Sequence, residues 1–518
     1  MKKLFALALL LTLCYDAAHA QFPGILWKKC MGGSADEQPR AMQPTYDGGY
    51  IIAGSSASND SNVTGNHGGL DFWIVKVSDT GGIQWQKSFG GSGNEEANSI
   101  IGTPDSGYIV AGYSSSGDGE VTGHHGTTAS DYWVVKLDVN GNIQWEKSYG
   151  GSGNDVAQSV YTAKEDGYIV AGYSNSADGD VSGNHGGNDY WVVKISDSGT
   201  IEWQRSYGGN NDDVAYSIQQ TSDDGYIVAG YTGSDTGDIT TTHGDFDYWL
   251  VKLASDGTIQ WQKTYGGSSM DVAVSVQQTD DQGFIIGGNS YSTDGDVTGH
   301  HPSTGYQQDG WAVKTDDTGA ILWEKSLGGG SDDGINAIIQ TSSGNYLVAA
   351  TTMSSDGDVT GHIGGFDSWV LQLSSTGSIL SQKCLGGSNS DEAYAILPTM
   401  DSGFVILNST ASVDSEVHGN HGGYDYWLVK LGTPLITTSL ATTMQPEIAI
   451  RPNPTNNSFF VMGVSPANIR VYNALGNVVA EAWRTNVISV SDLPPGEYIM
   501  TLQDDQGAMM YRNTVVKL

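Results

Sequence analysis

Asp189-Tyr-Trp-Val-Val-Lys-Ile-Ser-Asp-Ser-Gly-Thr-Ile-Glu-Trp203 is the stretch on which the fold turns. Two apolar-rich runs, each carrying a Trp, flank a short Asp-Ser-Gly turn, the pattern of a β-hairpin. The same pattern stands at 71–85, 131–145, 247–261, 309–323 and 367–381, although the last ends in Ser381 instead of Trp. Two half-copies remain, 25–27 near the start and 425–430 near the end. First-Trp positions (Trp73 to Trp427) and second-Trp positions (Trp27 to Ser381) each recur at 58 to 62 residues, giving seven units. Such a period signals a solenoid or a propeller.

Each unit holds four strand-like runs, in the third unit 156–161, 168–173, 189–195 and 200–207. A tight turn ending in Gly, as at Gly167 and Gly225, joins the first two, and Gly supplies the positive φ such turns need. Nothing between shows a helical period. Four antiparallel strands repeated seven times predict an all-β, seven-bladed β-propeller over 21–431. The last unit runs out of chain after three strands. The lone strand at 24–30 therefore closes the last blade and removes an open edge. This places Cys30 and Cys384 on outer strands of neighbouring blades, too far apart for a disulfide.

The chain has 518 residues, with 71 Gly, 13 Pro and a net charge of −35. It shows no basic cluster, which argues against nucleic-acid and anionic membrane partners. Residues 1–20 have the basic start, short apolar run and small-residue end of a secretory signal peptide. No later stretch is long and apolar enough for a transmembrane helix. The expected product is a secreted or outer-surface monomer.

Two longer loops per unit, one after the second-Trp strand and one between the second and third strands, fall on one rim by strand parity. A binding site is expected on that rim. Paired acids there (Asp118/Glu120, Asp178/Asp180, Asp294/Asp296, Asp356/Asp358) suggest Ca²⁺ as a cofactor; alternatively they accept loop N–H groups. His67, His125, His185, His243, His301 and His421 recur before the third strand and predict a His–Asp–Trp network tying loop to sheet. The repeated lysines (Lys76, Lys136, Lys194, Lys252, Lys314 and Lys430) are expected to pair with the same Asp ring and cover the Trp faces. Departures from sevenfold repetition at 127–128 and 300–308 single out His125, His301, Tyr306 and Gln308 as candidate ligand-binding residues. No G-x-S-x-G, H-E-x-x-H or phosphate loop occurs, so no catalytic residue is assigned.

The units resemble secreted bacterial propeller repeats of the form D-G-Y-I-V-A-G … D-Y-W-V-V-K-L … G-x-I-x-W-x-K-x-Y-G-G. That resemblance implies fold and no particular activity. A Thr-rich linker (432–445) leads to 446–518, whose short strands and Pro/Gly turns predict a small Ig-like β-sandwich. There Pro452-Asn453-Pro454, the Y-N-x-L-G run through Gly476, Pro-Gly496-Glu-Tyr498 and the terminal Lys517 closely resemble the type A C-terminal sorting domain of the type IX secretion system of Bacteroidota. The resemblance implies recognition by that machinery and export to the cell surface. Two functions fit: a binding or adhesion module for glycan or protein, or an extracellular polysaccharide hydrolase or lyase. Near-identical blades favour the first; a purely structural surface-layer component is a third possibility.

Overall fold

The computed structural model describes residues 22–126, 129–164, 167–301, 306–399, 401, 403–432, 449–451, 457–462, 467–473, 477–503 and 509–517. The expected signal peptide, most of the expected linker, and Pro452, Asn453, Pro454 and Gly476 lie outside them. No helix occurs among the described residues. The chain divides into two compact units at 434/435.

The first unit contains seven antiparallel sheets of four strands each, the predicted propeller. In blade three Asp155–Thr162, Tyr168–Ser174, Asp189–Ile195 and Ile201–Tyr207 pair in that order from the centre outward. The third strand is buried along its whole length and the second nearly so. Neighbouring blades cover both faces, hence the unbroken apolar runs. Blade seven takes Asp391–Pro398, Phe404–Thr410 and Asp425–Gly432 from the chain's end, and its outer strand, Gly24–Met31, from the start. Gly24 lies opposite Gly432 and Met31 opposite Tyr426.

Aromatic stacking joins blade to blade. The Tyr190 ring lies 4.5 Å from Trp249 and its hydroxyl donates to the Trp249 carbonyl at 3.0 Å. Tyr132 on Trp191 and Tyr248 on Trp311 repeat this. Tyr426 does the same to Trp73 across the seam. Each such pair adds roughly 1 kcal/mol beyond the area it buries.

Two details depart from expectation. The first-Trp indoles do not join the His–Asp pairs. In blades one to six they donate to outer-strand side chains thirteen residues on, Trp191 to Gln204 at 2.8 Å and Trp133 to Glu146 at 2.9 Å, whereas Trp427 Nε1 has no partner among the described residues. Lysines of the third strand turn away from the Asp ring toward the opposite rim, where Lys252 meets Asp223 and Lys314 meets Asp281, each at 2.9 Å. Antiparallel register explains this: Lys lies three residues past Trp, at the far end of the strand.

Outer-strand tryptophans reach the following blade. Trp145 donates to the Asp197 carbonyl at 2.9 Å and covers Gly199, whose φ of +76° shapes the turn. A Cβ on Gly199 would stand 3.1 Å from that ring. Trp27, Trp85, Trp203, Trp261 and Trp323 cover the equivalent glycines. Ser381 replaces the Trp in blade six because blade seven has no turn between its third and fourth strands. Its fourth strand arrives from the chain's beginning, so among the described residues no such turn glycine lies against Ser381.

Cys30 and Cys384 are both free. Burial chiefly pushes each thiol up to about 12, so thiolate is scarce at neutral pH. We expect neither to react with a maleimide at pH 7.5 in the native chain and both to react in denaturant, read by peptide mass spectrometry. Rapid native labelling would contradict this burial.

The second unit has two small sheets. Ala449–Arg451, Ser458–Met462 and Val487–Ser489 form one; Val478–Thr485, Ala467–Tyr472, Gly496–Gln503 and Met509–Lys517 form the other. Phe459, Ile469, Val471, Met500, Leu502 and Val515 fill its core. Of the expected sorting residues, Gly496 opens a strand, Tyr498 is buried and donates to the Pro494 carbonyl at 2.7 Å, and Lys517 ends the last strand.

Candidate functional site: the loop-rich rim and the channel mouth

The two long loops share one rim and are laced across each junction. Ser152 N–H donates to Asp178 Oδ1 at 2.7 Å, and Gly153 N–H to Ser176 Oγ at 2.9 Å. Asp118, Asp294 and Asp356 accept the equivalent N–H groups of Ser92, Ser268 and Gly330. These donors hold the Asp118, Asp178 and Asp294 carboxyls below the usual range, the backbone N–H contributing most. The second acids, Glu120, Asp180 and Asp296, accept from Gly90, Gly150 and Gly266 at 3.0 to 3.3 Å. Among the described residues, no group of three or more His, Cys, Asp or Glu side chains converges as metal ligands would.

His67, His125, His243 and His301 each span a junction. His125 Nδ1 lies 3.0 Å from Asp131 of its own blade, and its Nε2 3.7 Å from Asp180 of the next. His301 sits likewise between Asp309 (2.9 Å) and Asp358 (3.9 Å). His125 and His301 thus belong to the repeated frame, in blades two and five, and do not meet. The Gln308 backbone joins that frame through Asp332 and Asp333. Tyr306 is 92% exposed. The four candidate residues do not gather into one site.

Beneath the loops lie two rings of buried carboxyls. One opens the innermost strands (Glu37, Glu95, Asp155, Asp213, Asp271, Asp333, Asp391), the other the third strands (Asp71, Asp131, Asp189, Asp247, Asp309, Asp367, Asp425); none is more than 1% exposed. They approach in pairs at each junction glycine. A Cβ on Gly208 would lie 2.7 Å from Asp189 Oδ1 and 2.6 Å from Asp213 Oδ2, so only Gly fits. In every blade, Oδ1 of the third-strand Asp has no hydrogen-bond partner among the described residues. Burial first, with the facing carboxylate adding to it, pushes Asp155, Asp213 and Asp271 up to about 6.

Sevenfold likeness breaks at the centre. Each innermost strand carries a β-bulge at its fourth residue, and the bulged residues are Arg40, Asn98, Gln158, Tyr216, Val274, Asn336 and Tyr394, all half-buried. Bulges re-aim side chains, and in a propeller the innermost strands border the central channel. Arg40 lies 3.7 Å from Glu96 in blade two and 5.4 Å from the Tyr394 ring centroid in blade seven. Tyr113 donates to Glu96 at 2.6 Å, and Tyr394 to Glu392 at 3.1 Å. Tyr216 and Tyr231 are 6.2 Å apart, and Phe246 meets Tyr231 edge-on at 4.9 Å. Gly233 allows that approach, since a Cβ there would stand 2.7 Å from the Phe246 ring. Beside Phe246 a depression of about 660 Å³ opens on the rim, bordered by Asn210, Asp212 and Met270.

Unequal loop lengths in the sequence point to the blade-two and blade-five loops and not to this cluster. The signal was present: Arg, Tyr or Val at equivalent positions four residues into otherwise matching strands.

The secretion-system C-terminal sorting domain family matches residues 449–517. No curated protein matches the sequence. Similar solved structures include PorZ, a surface component of the type IX secretion system of Porphyromonas gingivalis (11% identity, TM-score 0.40, covering 94% of this chain and 60% of PorZ). They also include the Pan2 WD40 domain of Neurospora crassa (9%, 0.43, 77% and 89%) and a copper-bound fungal alcohol oxidase (13%, 0.44, 96% and 99%). The chain spans about three fifths of PorZ. Likeness this remote says nothing of what this chain binds. The sorting tail makes the chain a secreted or outer-surface protein that is handed to the type IX machinery.

Proposed function

We propose that the propeller is a non-enzymatic binding module which meets a glycan or protein ligand on its loop-rich rim, outside the cell. One observation carries this reading: blade-to-blade differences in side-chain chemistry gather where the channel opens on that rim, while the surrounding frame repeats. A rigid frame holding unequal side chains around a concave centre suits selective binding. The test is a glycan and surface-protein array probed with the full chain, followed by turnover assays on any polysaccharide that binds. Saturable binding without product is expected; released sugars would favour the hydrolase or lyase alternative.

The paired acids are proposed to lace the junctions, with Ca²⁺ dispensable. All of them but Asp358 already accept N–H groups, so an ion bound there would have to displace those donors. Adding 5 mM CaCl₂ after EDTA is expected to leave the propeller's melting temperature within about 1 °C, because a ligand that binds the native state raises it in proportion to its affinity. A rise of several degrees would make these carboxylates a Ca²⁺ site.

A further inference from the structure

We infer that the channel mouth takes the end of an uncharged oligosaccharide. This rests on the reading of the rim as a binding face and narrows it to one site and one ligand class.

Arg40 is the cation of the cluster, and it is already engaged by Glu96 and by the Tyr394 face. Glu392 adds a further negative charge beside Tyr394. Uronate or sulfate groups entering here would meet more negative than positive charge, inside a chain of net −35.

Aromatic surface comes next. Tyr216 and Tyr231, both half-buried, stand 6.2 Å apart between ring centroids, and Tyr173 holds in blade three the strand position that Tyr231 holds in blade four. Burial raises all three phenols, so each keeps its proton. Their hydroxyls donate to no group among the described residues. They therefore remain free to donate and accept, as do the hydroxyls of a sugar. Aromatic faces carry negative potential and suit the C–H face of a pyranose ring. The Glu carboxylates accept and the guanidinium donates, which completes a set matched to a polyhydroxylated, uncharged ring. A hydrophobic peptide would leave these polar groups unpaired, at a penalty.

The test is calorimetric titration of the full chain with neutral hexasaccharides (β-1,4-glucan, α-1,4-glucan, β-1,4-mannan, β-1,4-xylan and α-1,6-mannan) and with charged ones (oligogalacturonate and heparin fragments). At least one neutral probe is expected to bind with Kd under about 1 mM, and the charged probes more weakly. Tyr216→Ala and Tyr173→Ala should each weaken binding about tenfold or more, and Tyr306→Ala less than about twofold. Tyr173→Phe, which keeps the ring, guards against loss by misfolding and should weaken binding about three- to tenfold. Three results overturn the inference: no neutral probe binds, a charged probe binds more tightly, or neutral binding survives both Ala variants. In the last case the rim still binds glycan, but elsewhere. Failure of every glycan and protein on the array would sink the rim reading as well.

Discussion

Deleting Gly24–Met31 is expected to abolish the native propeller. That strand pairs with Asp425–Gly432 along its length, and Met31, Trp27 and Ile25 fill two clusters flanking blade seven. Burying side chains of this size is worth about 1.5–3 kcal/mol each. With Met31 buried and Trp27 and Ile25 partly so, the sum is on the order of 4 kcal/mol, a large part of the stability of an ordinary domain. Removal also leaves Asp425–Gly432 as a bare apolar edge, a template for aggregation. Circular dichroism and tryptophan emission should show loss of the cooperative transition, since every Trp except Trp483 lies in the propeller. A second variant separates topology from composition. Because Gly24 lies opposite Gly432, moving 24–31 to follow Gly432 through a short turn recreates an ordinary hairpin. It should restore the transition. A cooperative melt in the deletion itself would show that the seam is dispensable.

The second large effect is on pH. Asp155, Asp213, Asp271 and Asp367 rise to about 6 on folding, burial being the chief cause. Asp71, Asp131, Asp189, Asp247, Asp333, Asp391, Asp425 and Glu37 move the same way. A carboxyl raised by folding stabilises fully below its unfolded pKa, near 4, and loses that contribution as pH rises through the folded value. His67 adds in the same direction: burial opposes its protonation, but the Asp71 hydrogen bond and Glu120 outweigh it. Tight-turn carboxyls on the far rim oppose. Asp47, Asp223 and Asp281 are desolvated, yet donors including Thr and Lys side chains outweigh that and lower them. Their contribution is present above about 4 and fades only in stronger acid.

Stability should therefore peak between about pH 4.5 and 6 and decline toward pH 8. Asp155, Asp213, Asp271 and Asp367, raised to about 6, each contribute on the order of 1 kcal/mol over that range, so together they should lower the propeller's melting temperature by several degrees between pH 5.5 and 8. Proton uptake on folding at pH 6.5, measured by calorimetry in buffers of different ionisation enthalpy, gives an independent reading. A melt that is flat or higher at pH 8 would mean that water reaches the paired carboxyls.

The fold was legible because one interaction recurs at a readable interval. A Trp on the third strand and a Trp on the fourth each serve the neighbouring blade, so their spacing counts blades and exposes the half-copies at the ends. The side-chain network was only partly legible. His and Asp four residues apart share one loop and could be paired from sequence, whereas the Trp191–Gln204 bond crosses a hairpin whose register is not written in composition. Junction pairs such as Asp189 with Asp213 come from different blades and become visible only when blades pack. The channel mouth was hidden for another reason: a bulge breaks the period of two, so Arg40 and Tyr216 do not read as members of one face. Length differences in loops drew attention instead to Tyr306, which stands in solvent.

Ser381 has a use beyond its own blade. In a closed circle of near-identical repeats nothing in the geometry says where the polypeptide begins, and yet this chain marks the place. The repeat that has lost its outer Trp is the one whose neighbour receives its last strand from the other terminus. The phase between gene and ring can therefore be read from a single missing indole. In related repeats of unknown structure, the same lapse would identify the blade assembled from both ends.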